Sequence, residues 1–187
     1  MKNNGLELHN AEDMTRLWIE RTVVGLNLCP FAKAPLDMNL IRITALPVQN
    51  FDDLITAFEV EKKLLERSLP SKISNSFLVF PQLQVDFEEF FEMAATLEEI
   101  YQLQSLRGPT QLVVFHPQFR FSNSAQEDKA NLVNASPCPS LHLLRRDEVS
   151  AALKNFQLGI SIAHQNKVKI TSLSEEEIRF HWWFLSK

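Results

Sequence analysis

The sequence predicts an α/β domain, a mainly parallel sheet of about four strands covered by helices, and three observations lead there. Three apolar segments each stop at a proline, Pro47, Pro81 and Pro117, spaced by 34 and 36 residues, with Gln49, Gln82 and Gln118 close behind. Proline cannot donate to a sheet ladder, so it ends a strand cleanly. Stretches of helical period lie between these segments. A strand–helix–strand unit of about 30 residues or more has the size of a crossover that lays consecutive strands parallel. The third observation is length: 187 residues is the chain of one domain, so residues 1–187 read as a single globular domain. The alternative is a two-layer ferredoxin-like α+β sandwich, in which the last strand reverses.

Each element has its own signal. Asn10 caps a helix from about Ala11, on which Met14, Leu17, Trp18 and Val24 recur; Gly25, Asn27 and Pro30 end it. Leu40 to Leu46 alternates as a strand does. Asn50 caps a second helix with Phe51, Leu54, Ile55, Phe58 and Leu65 as its buried stripe. Phe77 to Phe80 reads as a strand buried on both faces. Asp86 and Glu89 form a capping-box pattern ahead of a third helix carrying Phe87, Phe90, Phe91, Ala94, Leu97 and Tyr101. Leu112 to His116 is the third apolar strand, and Leu141 to Arg145 a short fourth. The Asn-, Ser- and Pro-rich stretch between them, Gln118 to Ser140, is long enough to suggest function. Asp147 caps a helix through about Phe156. Lys167-Val168-Lys169-Ile170 alternates, and Ser174 to Leu185 is an apolar helix containing Trp182 and Trp183. Glu175, Glu176 and Glu177 open it, where negative charge suits the helix dipole.

Composition excludes several function classes. A formal charge of −4 and a pI near 5.7 lack the basic footprint of a nucleic-acid binder. The four glycines, Gly5, Gly25, Gly108 and Gly159, are too scattered for a dinucleotide or phosphate-binding loop. HExxH and GxSxG are absent. No run approaches the ~18 apolar residues of a membrane span. Met1 to Asp13 has no apolar core of a secretory signal. With only Cys29 and Cys138, the expectation is a cytoplasmic chain with two free thiols.

Three segments place reactive groups beside proline: Leu26 to Lys33, Phe115 to Phe121, and Asn131 to Arg146. In the first, Cys29 is a candidate nucleophile or redox thiol. If it caps a turn begun by Pro30, the turn's N-terminal dipole and Lys33 lower its pKa; if it ends the preceding helix, it is inert. In the second, His116 ends a strand where ligands gather in open α/β sheets and is a candidate acid or base, flanked by Gln118 and Arg120. In the third, Asn131, Asn134, Ser136, His142 and Arg145 are candidate ligand contacts. His142 and Arg145 point to opposite sheet faces, and Arg145 shares its face with Leu141 and Leu143, so it needs an internal partner. That partner is a structural Asp or Glu, or a substrate carboxylate or phosphate. A zinc site built from Cys29, His116 and His142 is a third option without metal-ligand spacing. Phe180, Trp182, Trp183 and Phe184 fit either a core helix or a self-association surface.

The segments WIERTVVGLNLCPFAK, FHPQF and N-x-x-N-x-S-P-x-P-x-L-H-L-L-R resemble the bacterial family named domain of unknown function 1415, over about Thr15 to Asn166. The resemblance implies motifs and no mechanism. In the family it resembles, the third block often reads N-R-S-P-Y-P, whereas this chain has Ala135 and Cys138. If that arginine holds an anion in relatives, this chain has one contact fewer.

Two function hypotheses follow. The first is an enzyme on a small anionic metabolite, with His116 as acid or base, Cys29 as nucleophile and Arg145 as anion clamp. The second is a non-catalytic domain that holds a small ligand or partner in the same pocket. No cofactor is implied.

Overall fold

The computed structural model describes residues 2–103, 108–154 and 161–185. Helix α1, Lys2–Trp18, starts before Ala11, so Asn10 lies inside it and caps nothing. It runs directly into a π-helical stretch, Ile19–Val24, where the β-branched run Thr22-Val23-Val24 packs poorly in an α-helix. The wide turn closes through Gly25 N–H to the Glu20 carbonyl at 3.0 Å and Leu28 N–H to the Val23 carbonyl at 2.8 Å. Gly25 is required there: a Cβ would sit 2.1 Å from the Arg21 carbonyl oxygen. Short helix α2, Lys33–Asp37, then leads into strand β1, Ile41–Ala45.

Two strand–helix units follow as the prolines predicted. Helix α3, Phe51–Arg67, is capped by Asn50, whose side chain accepts the Asp53 N–H. Strand β2, Asn75–Val79, is buried along its whole length. Helix α4, Phe87–Ile100, is capped by Asp86, which accepts the Glu89 N–H. Strand β3 is Thr110–Phe115. The long connection contains a 3-10 turn, Lys129–Asn134, before strand β4, Ser140–Arg145. Helix α5, Arg146–Lys154, begins on the next residue, so Asp147 sits in its first turn and does not cap it; Phe156 lies outside the described residues. Helix α6, Ile162–Ser172, absorbs the alternating Lys167 to Ile170 stretch; Ile170 is buried and Val168 exposed, as a helical turn dictates. Helix α7, Glu175–His181, opens on a full capping box between Ser174 and Glu177, and a 3-10 turn, Trp183–Leu185, follows.

The sheet order is β1-β2-β4-β3. β1 and β2 pair parallel, whereas β4 pairs antiparallel with both β2 and β3. The expected mainly parallel sheet is therefore mixed. β1, β2 and β3 do run the same way, as their crossovers require. The long connection after β3 returns the chain as β4, which inserts between β2 and β3. Reversal of the last strand had belonged to the two-layer alternative, but here both sheet faces are covered. Leu54, Phe58 and Leu65 of α3 and Phe90, Ala94 and Leu97 of α4 bury Leu78, Leu141 and Leu143 on one face. Trp18 and Ile19 bury Ile41, Ala45, Phe77 and Val79 on the other. Each such buried side chain contributes about 1.5–3 kcal/mol of transfer free energy, which is why β2 sits central and dry.

The tail completes the second face. Trp182 is buried with Leu28, Ala135 and Ile170, and its indole N–H donates to the Leu132 carbonyl at 3.0 Å. Arg21 lies between the rings of Phe180 and Trp183, at 4.7 and 4.8 Å from their centroids. Most of the tail's aromatic surface thus packs within the chain. Among the described residues, no helix is long and apolar enough to cross a membrane.

Candidate functional site

The predicted site residues divide between the two ends of the sheet. At the carboxyl end of β3, His116 is buried and packs on Phe87 and Phe90 of α4. Its Nδ1 accepts the Gln118 N–H at 3.1 Å, and its ring also bonds the Val85 backbone. An accepting Nδ1 leaves the proton on Nε2, so the Val85 carbonyl receives it. Burial lowers its pKa, against the hydrogen bond to Val85 and the nearby Asp86 and Glu88. Both ring nitrogens are committed, and the imidazole is neutral.

The neighbours of His116 hold the loop together. Asn131 is buried; its side chain accepts the Phe121 N–H at 3.2 Å and donates to the Ala125 and Gln126 carbonyls at 2.9 and 3.4 Å. Asn134 donates to the Val114 carbonyl at 3.3 Å, and Ser136 donates to the Cys138 carbonyl at 2.7 Å. The Gln118 side chain is exposed, and Arg120 pairs with Glu88 at the surface. Ala135 is buried against Leu28 and Trp182. Cys138 packs at the edge of the second face, where burial, with Glu7 adding to it, pushes its thiol up to about 11.

Cys29 links the packed Leu28 to the groove-lining Pro30. Leu28 before it packs on Ala135 and Ile170, and the Leu28 carbonyl accepts the Asn166 amide at 2.7 Å. Pro30 and Phe31 after it line a groove at the other end of the sheet. Cys29 does open a turn, its carbonyl accepting the Ala32 N–H at 3.1 Å. The expected fall in pKa does not follow. Burial raises it, outweighing the Phe31 and Ala32 backbone groups that favour the thiolate. Lys33 is committed to Asp37 at 2.9 Å.

Arg145 is at the amino end of the sheet, and its internal partner is neither Asp nor Glu. Nε donates to the Ile73 carbonyl at 3.2 Å; Nη2 reaches the carbonyls of Leu65, Ser68 and Ile73 at 2.5, 2.6 and 3.1 Å. The guanidinium thus closes the carboxyl end of α3, where the helix dipole favours a cation. As the alternation predicted, His142 points to the opposite face, stacked on Phe77 at 3.9 Å between ring centroids. Because His116 faces α4 and His142 faces the Trp18 side, the sheet separates them, and Cys29, His116 and His142 do not converge. Among the described residues, no group of three or more His, Cys, Asp or Glu is placed to hold a metal ion.

What the amino end does bring together was not foreseen. A groove of about 610 Å³ lies between the 30–38 segment, the starts of β1 and β2, the end of β4, and α5. Its walls include Pro30, Phe31, Pro35, Met38 and Val149. Its polar lining is Ser74, Asn75, Arg145 and Glu148. Three of these are joined to His142 in one chain. His142 Nε2 lies 2.9 Å from Asn75 Oδ1, the Asn75 amide donates to Ser74 Oγ at a long 3.4 Å, and the Ser74 hydroxyl donates to Glu148 Oε2 at 2.6 Å. Burial pushes the His142 pKa down to about 3, so the ring is neutral and its Nε2–H donates. Every donor in the chain then points toward the Glu148 carboxylate, an alignment in which each bond polarises the next. The signal that could have found it is the polar pair Ser74-Asn75 leading into a strand otherwise largely apolar, since buried polar groups usually have partners.

The chain belongs to the family described as Protein of unknown function (DUF1415), whose model matches residues 10–180. No curated protein and no solved structure matches it.

Proposed function

We propose that this DUF1415 chain is a bacterial, cytoplasmic small-molecule-binding protein whose ligand sits in the groove at the amino end of the sheet. The observation that carries this reading is the hydrogen-bonded chain ending on Glu148 in the wall of an apolar groove. A volume of about 610 Å³ falls within the ~300–1,000 Å³ typical of ligand sites, and apolar walls with a few fixed polar groups are their usual make-up. The thiol enzyme has less geometric support. His116 and Arg145 stand at opposite ends of the sheet, the Cys29 thiol is held protonated, both histidines are neutral, and both ring nitrogens of His116 are bonded. A cytoplasmic setting fits two unpaired cysteines.

The test is amide chemical-shift mapping during titration with 3-phenylpropan-1-ol, a neutral probe with an apolar body and one hydroxyl. The expected result is saturable shifts at Ala34, Ser74, Asn75 and Val149. Shifts confined to other regions, or none at millimolar probe, would overturn the reading. Recovery of the protein in the membrane fraction of lysed cells would overturn the cytoplasmic placement.

A further inference from the structure

We infer that the groove is built for an organic cation, a ligand joining an ammonium group to an apolar body, with the ammonium on Glu148 and the body between Pro30, Phe31 and Met38. This rests on the small-molecule reading above and specifies the ligand's charge. The hydrogen-bonded chain has one direction. Ser74 Oγ–H donates to Glu148 Oε2 at 2.6 Å, and Asn75 and His142 stand behind it as donors. This fixes the carboxylate without neutralising it, because no cation lies within ion-pair distance of Glu148 among the described residues. The chain is not a proton wire, since the Asn75 amide cannot accept and release a proton in turn.

Glu148 does not serve the start of its own helix. Acidic residues in the first turn of a helix often serve only that turn. Here the Asp147 carboxylate already accepts the Glu148 N–H at 3.0 Å, while the Glu148 side chain leaves the helix to reach Ser74, just before β2.

The groove does not offer an anion a bidentate clamp. Arg145 is the cation that lines the groove, and carboxylate or phosphate recognition works through two N–H groups on one edge of the guanidinium. Both edges that could form such a fork include Nη2, which already faces three carbonyls. His142 adds no charge at neutral pH. A charged ligand head therefore meets one open carboxylate and no open fork.

Three probes that share a phenylpropyl body test the inference: 3-phenylpropylamine, 3-phenylpropan-1-ol and 3-phenylpropanoate, titrated by calorimetry into wild type and Glu148→Gln. Glutamine keeps an oxygen that accepts the Ser74 hydroxyl, and amide spectra confirm that the variant is folded. The expected result is the order ammonium, alcohol, carboxylate, with about tenfold between the first two, and loss of that preference in Glu148→Gln. Equal binding of amine and alcohol, tighter binding of the carboxylate, or a preference that survives Glu148→Gln would overturn the cation assignment while leaving the groove. If none of the three shifts the amides of Ser74 and Asn75, the binding groove itself fails.

Discussion

At the carboxyl end of the sheet, His116, Asn131, Asn134 and Ser136 hydrogen-bond to backbone groups, most of them in the connection between β3 and β4. At the amino end, His142, Asn75 and Ser74 hydrogen-bond to one another and finish on a carboxylate in a groove wall. The first set looks more like a catalytic inventory, yet its donors and acceptors are already matched by the loop they build. The second set contains ordinary residues, and its last member still has a free side. Residue type thus says little about a site; where the chain of hydrogen bonds stops says more.

Acid is the largest perturbation expected to separate the two ends. Burial lowers the pKa of both His116 and His142 below the ~6.5 of an unfolded chain. Between those values the unfolded state binds more protons, so stability is full above about pH 6.5 and falls as pH drops. The slope is up to about 1.4 kcal/mol per pH unit for each histidine. For His142 the window extends down to about pH 3. Urea denaturation between pH 7.5 and 4.5 should show His142→Asn and His116→Asn each flattening the wild-type slope. An unchanged slope in either variant would mean that its ring titrates freely in the folded protein.

Arg145→Met is next, at about 3 kcal/mol, because it leaves the Leu65, Ser68 and Ile73 carbonyls short of a charged donor. A loss below about 1 kcal/mol would mean that the guanidinium is not held by α3, which reopens the anion clamp. Asn131→Ala should cost about 2 kcal/mol for its buried bonds to the loop, with no change in probe binding at the distant groove. Probe affinity that falls with Asn131→Ala would break the separation of the two ends.

The fold was legible where the chain writes its structure locally. Pro47, Pro81 and Pro117 ended strands as expected, because the missing N–H acts on the residue itself. Asn50 and Asp86 capped their helices by bonds three residues long. The insertion of β4 between β2 and β3 was not legible, since Leu141 and Leu143 suit any sheet neighbour. Neither was the partner of Arg145: the face was deducible from alternation, but backbone carbonyls carry no side-chain identity to search for. Asn10 misled because a good capping residue can also sit inside a helix that starts upstream, here at Lys2. The groove was hidden because Ser74 and Glu148 are 74 positions apart and nothing in either segment announces the other. Cys29 shows the same limit on a smaller scale. Its turn was foreseen, but burial, which decides the thiol's charge, depends on packing between distant segments.

The smallest expected effect concerns that thiol. Cys29→Ala should change stability by about 1 kcal/mol or less, the removal of one small, partly buried group. It should leave probe binding at Glu148 untouched. In the wild type, burial keeps the thiol protonated at pH 7.5, and the protonated form is a poor nucleophile. Iodoacetamide should therefore label Cys29 more slowly than it labels free cysteine, with Cys138 slow for the same reason. Mass mapping of the labelled peptides separates the two positions. Faster labelling of Cys29 than of free cysteine would show that the Phe31 and Ala32 N–H groups outweigh burial. The segment that lines the groove would then carry a thiolate beside Pro30, and nucleophilic chemistry would move to that segment.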